Sequence, residues 1–356
     1  MNQRVLKLME RLALDQCEAV LVHNPSNMFY LSGYTGEGLV LIGREMQVII
    51  TDFRYTEQAE KQAPGFSVEM TEKGVSHEAI VGRLCAEHEI GALYYEDDYL
   101  TVRSFESCRK AVPGVEWKSL HEEVQHIRQI KDEDELSRIA EACRITGEAF
   151  ERLLPEIKEG VTEKELALKL EFDMLTHGAT GLAFSTIVAA GANGSLPHAV
   201  PGDYKVRLGD MITFDFGAKY NGYCADMTRT VALGQPSDEM RKVYQTVLTA
   251  QQTARDAVMA GKCCKDIDAI ARDYIYSHGY EGRFGHGLGH SVGIDIHEEP
   301  RLSMTCSAIL EENQIMTVEP GIYLPGVGGV RIEDSVIVKK DGCIPLTSPT
   351  RELIIL

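Results

Sequence analysis

The chain has 356 residues, 44% hydrophobic and 25% charged, which is ordinary for a globular protein but too long for one core, so two domains are expected. The formal net charge of −18 repels phosphate backbones and argues against nucleic acid as a partner. No apolar run approaches the roughly 18 residues of a membrane span, so no membrane association is expected.

The opening stretch spaces Val5, Leu8, Met9 and Leu12 helically with charges between them, unlike a signal peptide. Nine cysteines without a CxxC pair read as reduced thiols and point to the cytoplasm. Residues 18–124 then alternate short apolar runs with helical patterns. Strands are predicted at 19–22, 39–42, 48–50 and 92–95, and helices at 53–62 and 77–89. This alternation predicts a small α/β domain over residues 1–124.

The second domain is placed at residues 125–356, with the boundary near 121–131. The charged run from Lys131 to Glu135 opens a long helix with Leu136, Ile139, Cys143, Phe150 and Leu153 on one face. Thr162 and Glu165 form a capping-box signature for a second helix. Residues 241–260 and 266–278 read as two more. What remains is strand-rich. Segments 211–217 and 228–233 flank Tyr220-Asn221-Gly222-Tyr223, a hairpin signal. Pairing about Tyr220–Asn221 sets Asp226 opposite Asp215, within one residue. Segments 315–318 and 330–338 form a similar pair across a Gly-rich loop.

The two pairs are alike. Met-Ile-Thr-Phe-Asp215-Phe-Gly is followed by Asp226, and Ile-Met-Thr-Val-Glu319-Pro-Gly by Glu333. This is a weak internal repeat in which each half offers two carboxylates. Acids inside apolar runs are rarely buried unless paired or metal-bound. Four converging carboxylates repel by about 4 kcal/mol per pair at about 4 Å and an effective dielectric near 20. Two divalent cations would cancel that charge. The segment Phe284-Gly-His286-Gly-Leu-Gly-His290-Ser-Val-Gly-Ile-Asp-Ile-His297 adds imidazoles among glycines. Hard carboxylates with one imidazole suit Mn²⁺, the preferred assignment, or Co²⁺, Fe²⁺ or Zn²⁺.

These residues resemble, in order and context, the ligand set of the pita-bread metallopeptidases, the superfamily of methionine aminopeptidase, aminopeptidase P and prolidase. The matching motifs are Phe-Asp215-Phe-Gly, Asp226-Met-Thr-Arg-Thr, Gly-His-Gly-Leu-Gly-His290, Thr-Val-Glu319-Pro-Gly and Arg331-Ile-Glu333-Asp. The resemblance implies an α+β fold: a C-terminal pita-bread domain of pseudo-twofold halves behind a creatinase-type α/β domain. It implies two metals on Asp215, Asp226, His290, Glu319 and Glu333. Glu319 would also move the nucleophile's proton, and His198 and His297 would face the scissile carbonyl. His286 and Arg331 would orient ligands and substrate. Arg301 would meet the substrate's carboxylate, or else pair with Glu298 or Glu299. The implied activity is cleavage of Xaa-Pro bonds in short peptides with a free N-terminus, as a dipeptidase first and as an aminopeptidase P on longer peptides second. A homodimer is implied as well.

Three rivals stay open at this point. Metal-free binding or chaperone-like relatives, and creatinase itself, share the fold, but all five ligands are retained here. Gly289-His-Ser291-Val-Gly293 fits a serine-hydrolase pattern without the helix that a nucleophile elbow needs after it. Gly326-Val-Gly-Gly reads as a turn, and Cys224 as a packed thiol.

Overall fold

The computed structural model describes residues 2–356. It divides into two compact units, Met1–Arg128 and Gln129–Leu356. Among the described residues no helix is long and apolar enough to cross a membrane.

The first unit is built on six strands: β1 (Glu18–Val22), β2 (Leu39–Gly43), β3 (Met46–Thr51), β4 (Ser67–Met70), β5 (Ala92–Tyr95) and β6 (Glu116–Ser119). Their order is β4-β3-β2-β1-β5-β6. The central strands are apolar and buried along their length, as expected for a sheet covered on both faces. Helices α1 (Gln3–Arg11), α2 (Pro25–Ser32), α3 (Thr56–Gln62), α4 (His77–Glu87), α5 (Val102–Ala111) and α6 (Glu123–Arg128) complete the unit. Its division falls after α6 because that helix is tied back: Arg11 pairs with Glu123 at 2.5 Å, and Arg128 donates to the buried Asn27 amide oxygen at 2.8 Å.

The second unit opens with α7 (Glu133–Leu153) and α8 (Glu163–Thr176). Capping boxes start both, Asp132 with Glu135 and Thr162 with Glu165. Then come β7 (Gly181–Leu182), β8 (Ile187–Ala190), β9 (Met211–Phe216), β10 (Ala218–Tyr220), β11 (Tyr223–Cys224) and β12 (Met227–Ala232). Two more helices follow, α9 (Asp238–Asp256) and α10 (Cys264–Ser277). The chain finishes with β13 (Gly289–Ser291), β14 (Glu298–Leu302), β15 (Ile315–Val318), β16 (Gly321–Leu324), β17 (Gly328–Arg331), β18 (Asp334–Lys339) and β19 (Gly342–Pro345). One core joins α7 and α8 to β8, β9 and β12 through Phe150, Leu170, Val188, Phe214 and Val231. A separate core joins α9 and α10 to β15 and β18 through Val247, Ile267, Met316 and Val336.

The two halves repeat one device. A long antiparallel pair, β9 with β12 or β15 with β18, is continued by a small hairpin, β10 with β11 or β16 with β17. Asp226, Glu319 and Glu333 sit at the interruptions between long pair and hairpin, and Asp215 stands two residues before its own.

Two sequence expectations need correction here. Asp215 pairs with Thr228, not with Asp226. The turn is Asn221–Gly222, whose φ angles of 45° and 89° are the positive values a two-residue hairpin loop favours, so the register shifts by two residues. An even shift leaves the same face pointing to the site. The predicted strand 330–338 is really two strands in two sheets, β17 with β16 and β18 with β15. The chain leaves the ladder at Ile332 and Glu333, where Glu333 N donates instead to Thr228 O at 3.1 Å.

Candidate metal centre

A cavity of about 590 Å³ opens in the second unit, and all ten predicted site residues line it: Asp215, Asp226, His290, Glu319, Glu333, His198, His297, His286, Arg301 and Arg331. The ligating atoms of Asp226, His290 and Glu333 lie within 4.8 Å of one another. His290 Nε2 is 3.5 Å from Asp226 and 3.3 Å from Glu319. Asp215 lies on the same wall, held by Arg331 at 2.6 Å.

Burial holds the Asp226 and Glu333 carboxyls well above the usual carboxylate range, helped by the charge of Glu333 on Asp226 and of Glu319 and Asp215 on Glu333. Burial also raises Asp215, against the opposing pull of Arg331. Burial acts the same way on Glu319, but the hydrogen bond and charge of His290 outweigh it and bring its carboxyl down. These directions describe anionic oxygens crowded together with too little positive charge.

Two details fit a metal. His290 Nδ1 donates to Ser291 O at 3.0 Å, so in the neutral ring the Nε2 lone pair faces the oxygens of Asp226 and Glu319. In that neutral form lone pair would face lone pair, an opposition that a bound cation relieves. Glu333 accepts from Thr228 Oγ1 at 2.7 Å through Oε2, while its buried Oε1 has no hydrogen-bond partner among the described residues. A buried carboxylate oxygen without a donor is costly, and coordination would satisfy it. The donor set of hard oxygens and one imidazole is the expected one for such an ion.

Behind the wall runs a directed chain of hydrogen bonds. Arg331 donates to Asp215, to Thr228 Oγ1 at 3.2 Å and to Tyr323 OH at 2.9 Å. Tyr323 OH donates to His286 Nε2 at 2.8 Å, and His286 Nδ1–H donates to Gly287 O at 2.8 Å. Burial lowers the His286 pKa, which suits a neutral ring accepting from the phenol. The sequence places His286 and Arg331 in this role. It does not reveal Tyr323, which lies in a strand with nothing to separate it from ordinary core.

Of the remaining predicted residues, His198 and His297 sit on loops and Arg301 lies in β14. The His297 ring stands edge-on to His290 with centroids 4.5 Å apart. Its loop is pinned by Glu298, which accepts from Ile294 N and Asp295 N and pairs with the buried Lys131 at 3.0 Å. Arg301 pairs with Glu299 at 3.1 Å, so cavity lining and the ion pair coexist.

The pattern of metallopeptidase family M24 matches residues 137–340, and that of the creatinase/prolidase N-terminal domain matches residues 4–130. The chain belongs to metallopeptidase family M24.

Full-length M24 relatives give the same result. The chain is 35% identical to an Xaa-Pro dipeptidase of Pyrococcus horikoshii, with 99% of each sequence covered. It superposes on the structure of an Xaa-Pro dipeptidase from Bacillus anthracis with a TM-score of 0.94 at 39% identity, covering 99% of both chains. An X-Pro aminopeptidase from Thermotoga maritima gives a TM-score of 0.91 at 38% identity, over 98% of this chain and 99% of that one. Membership of M24 implies divalent metal. Of the sequence rivals, Ser291 is fully buried beside Lys131 Nζ, and a loop rather than a helix follows it. Cys224 is a packed thiol that donates to Ile294 O.

Proposed function

We propose that this chain hydrolyses Xaa-Pro dipeptides with two divalent cations held by Asp215, Asp226, His290, Glu319 and Glu333. The observation that carries this reading is the convergence of four carboxylates and His290 on one wall of a cavity whose lining also includes Arg301, His198 and His297. The names of relatives matched over their full length support the same substrate class.

When bound, the cations would polarise the scissile carbonyl and acidify a water to a nucleophile at neutral pH. Glu319 accepts that water's proton and returns it to the leaving nitrogen. His198 and His297 donate hydrogen bonds to the oxygen that becomes negative as the carbonyl carbon turns tetrahedral. Arg331 fixes one oxygen of Asp215, leaving the other to face the cavity. The Arg301 guanidinium grips the substrate's terminal carboxylate in a fork.

Mn²⁺ is the metal proposed, with Co²⁺, Fe²⁺ and Zn²⁺ as alternatives. All nine cysteines are free, which supports a reducing, cytoplasmic setting. A homodimer is proposed from the family alone.

A second reading has its own support. Arg301 is half exposed and already paired with Glu299, and one full-length relative is named an X-Pro aminopeptidase. The test is a substrate panel with Mn²⁺-loaded protein: Xaa-Pro dipeptides, Xaa-Pro-Yaa tripeptides and Met-initiated peptides. The dipeptide should be preferred. Arg301→Ala should shrink that preference by about tenfold or more, the cost of a carboxylate without its partner. Preference for the tripeptide, or a ratio unmoved by the substitution, hands the assignment to the aminopeptidase.

A further inference from the structure

His198 reaches the cavity on the long strap that joins β8 to β9. The strap near it has little core of its own, since Leu196, His198 and Val200 are all exposed. It is built from two stacked turns. Leu196 N donates to Asn193 O at 2.9 Å, and Ala199 N donates to Leu196 O at 3.2 Å. Pro197 occupies the second position of the latter turn, where its fixed φ is suited. The imidazole therefore goes wherever Asn193 goes.

Asn193 is held by Glu163. This residue opens α8, where an acidic side chain is ordinarily solvated beside the helix N-terminus. Here it is only 1% exposed. Oε1 accepts from Ala190 N at 2.8 Å and from Asn193 Nδ2 at 3.0 Å, and Oε2 accepts from Gly202 N at 3.1 Å. Those donors bracket His198 on both sides. On its far face the strap meets β17, where a Cβ on Gly329 would lie 2.0 Å from Gly194 O. The strap is thus clamped between one carboxylate and one glycine contact.

We propose that Glu163 is a positioning residue: its carboxylate sets the strap so that His198 presents its ring to the reacting carbonyl. The proposal rests on the reading of His198 as an oxyanion donor. A buried charge held by three N–H groups is not replaceable by an amide. The amide of a glutamine would turn N–H groups toward donors.

The test is a double-mutant cycle on the metal-loaded full chain, measuring kcat, KM and bound metal on an Xaa-Pro dipeptide. Glu163→Gln should lower kcat on the order of 10- to 100-fold, the scale of a misplaced catalytic group, with metal content and KM unchanged. Asn193→Ala should move kcat the same way by less, and it carries the cycle if Glu163→Gln does not fold. In a His198→Ala background either substitution should cost almost nothing more, because the group it positions is gone. Losses that multiply in the double mutant overturn the positioning role while leaving His198 as a donor. A His198→Ala enzyme with normal turnover overturns both.

Discussion

Glu333 and Thr228 meet across the two halves of the site. Thr228 Oγ1 donates to Oε2 at 2.7 Å, the other carboxylate oxygen is left without a donor, and Glu333 clusters with Asp226 and His290. Glu333→Gln keeps the volume and the bond to Thr228 but gives up the charge. We expect that variant to fold, by circular dichroism, and to lose bound metal and nearly all activity. Wild-type metal content in the purified variant would remove Glu333 from the ligand set.

Metal loading should release protons. In the metal-free site Asp226 and Glu333 are raised well above the usual range by burial and the charge of neighbouring carboxylates, which favours their protonated forms. His290 is raised as well, its bond to Glu319 overcoming burial, which favours the protonated ring. Ligation needs the deprotonated forms, so affinity must rise with pH and weaken as pH falls. Calorimetric titration of Mn²⁺ in buffers of different ionisation enthalpy reads the number released. Zero release or net uptake is the contrary result.

Arg331→Lys should weaken metal binding by roughly 10- to 100-fold, the usual effect of removing a ligand's supporting partner. A lysine cannot reach Asp215, Thr228 and Tyr323 at once, as the guanidinium does. Competition with a fluorescent chelator gives the affinity. An unchanged value would mean that Asp215 needs no external support.

His297→Ala should retain its metals and lose on the order of 10²- to 10³-fold in turnover, the effect of removing one oxyanion donor. Metal analysis and kcat on the same sample decide it. Normal turnover with depleted metal would move His297 into the ligand shell.

Much of this was legible in the sequence because metal ligands need particular residue types at particular places. Asp215 and Glu319 stand out as acids inside apolar strands, and His286, His290 and His297 as imidazoles among glycines. The supporting residues give no such signal. Glu163 reads as an ordinary first-turn acid, and Tyr323 as one more strand aromatic. The edge strands β4 and β6 are mostly exposed or half-buried, so they lack the apolar runs that mark β1 and β2. The register at Asp215 differs from the expectation because nothing local says which two of four turn residues take positive φ. The split at Glu333 was hidden because both pieces are apolar, and only tertiary pairing tells them apart.

Asp215 and Asp226 stand on the half cored by α7 and α8, while His290, Glu319 and Glu333 belong to the half cored by α9 and α10. A cation held across that seam would be a thermodynamic interlock. Its binding free energy accrues only when both halves are folded together. At a free concentration about a hundred times Kd that amounts to about 2.7 kcal/mol, a large share of a typical domain's stability. A chelator should therefore strip away cooperativity along with activity, leaving each half to open at a cost set by its own core.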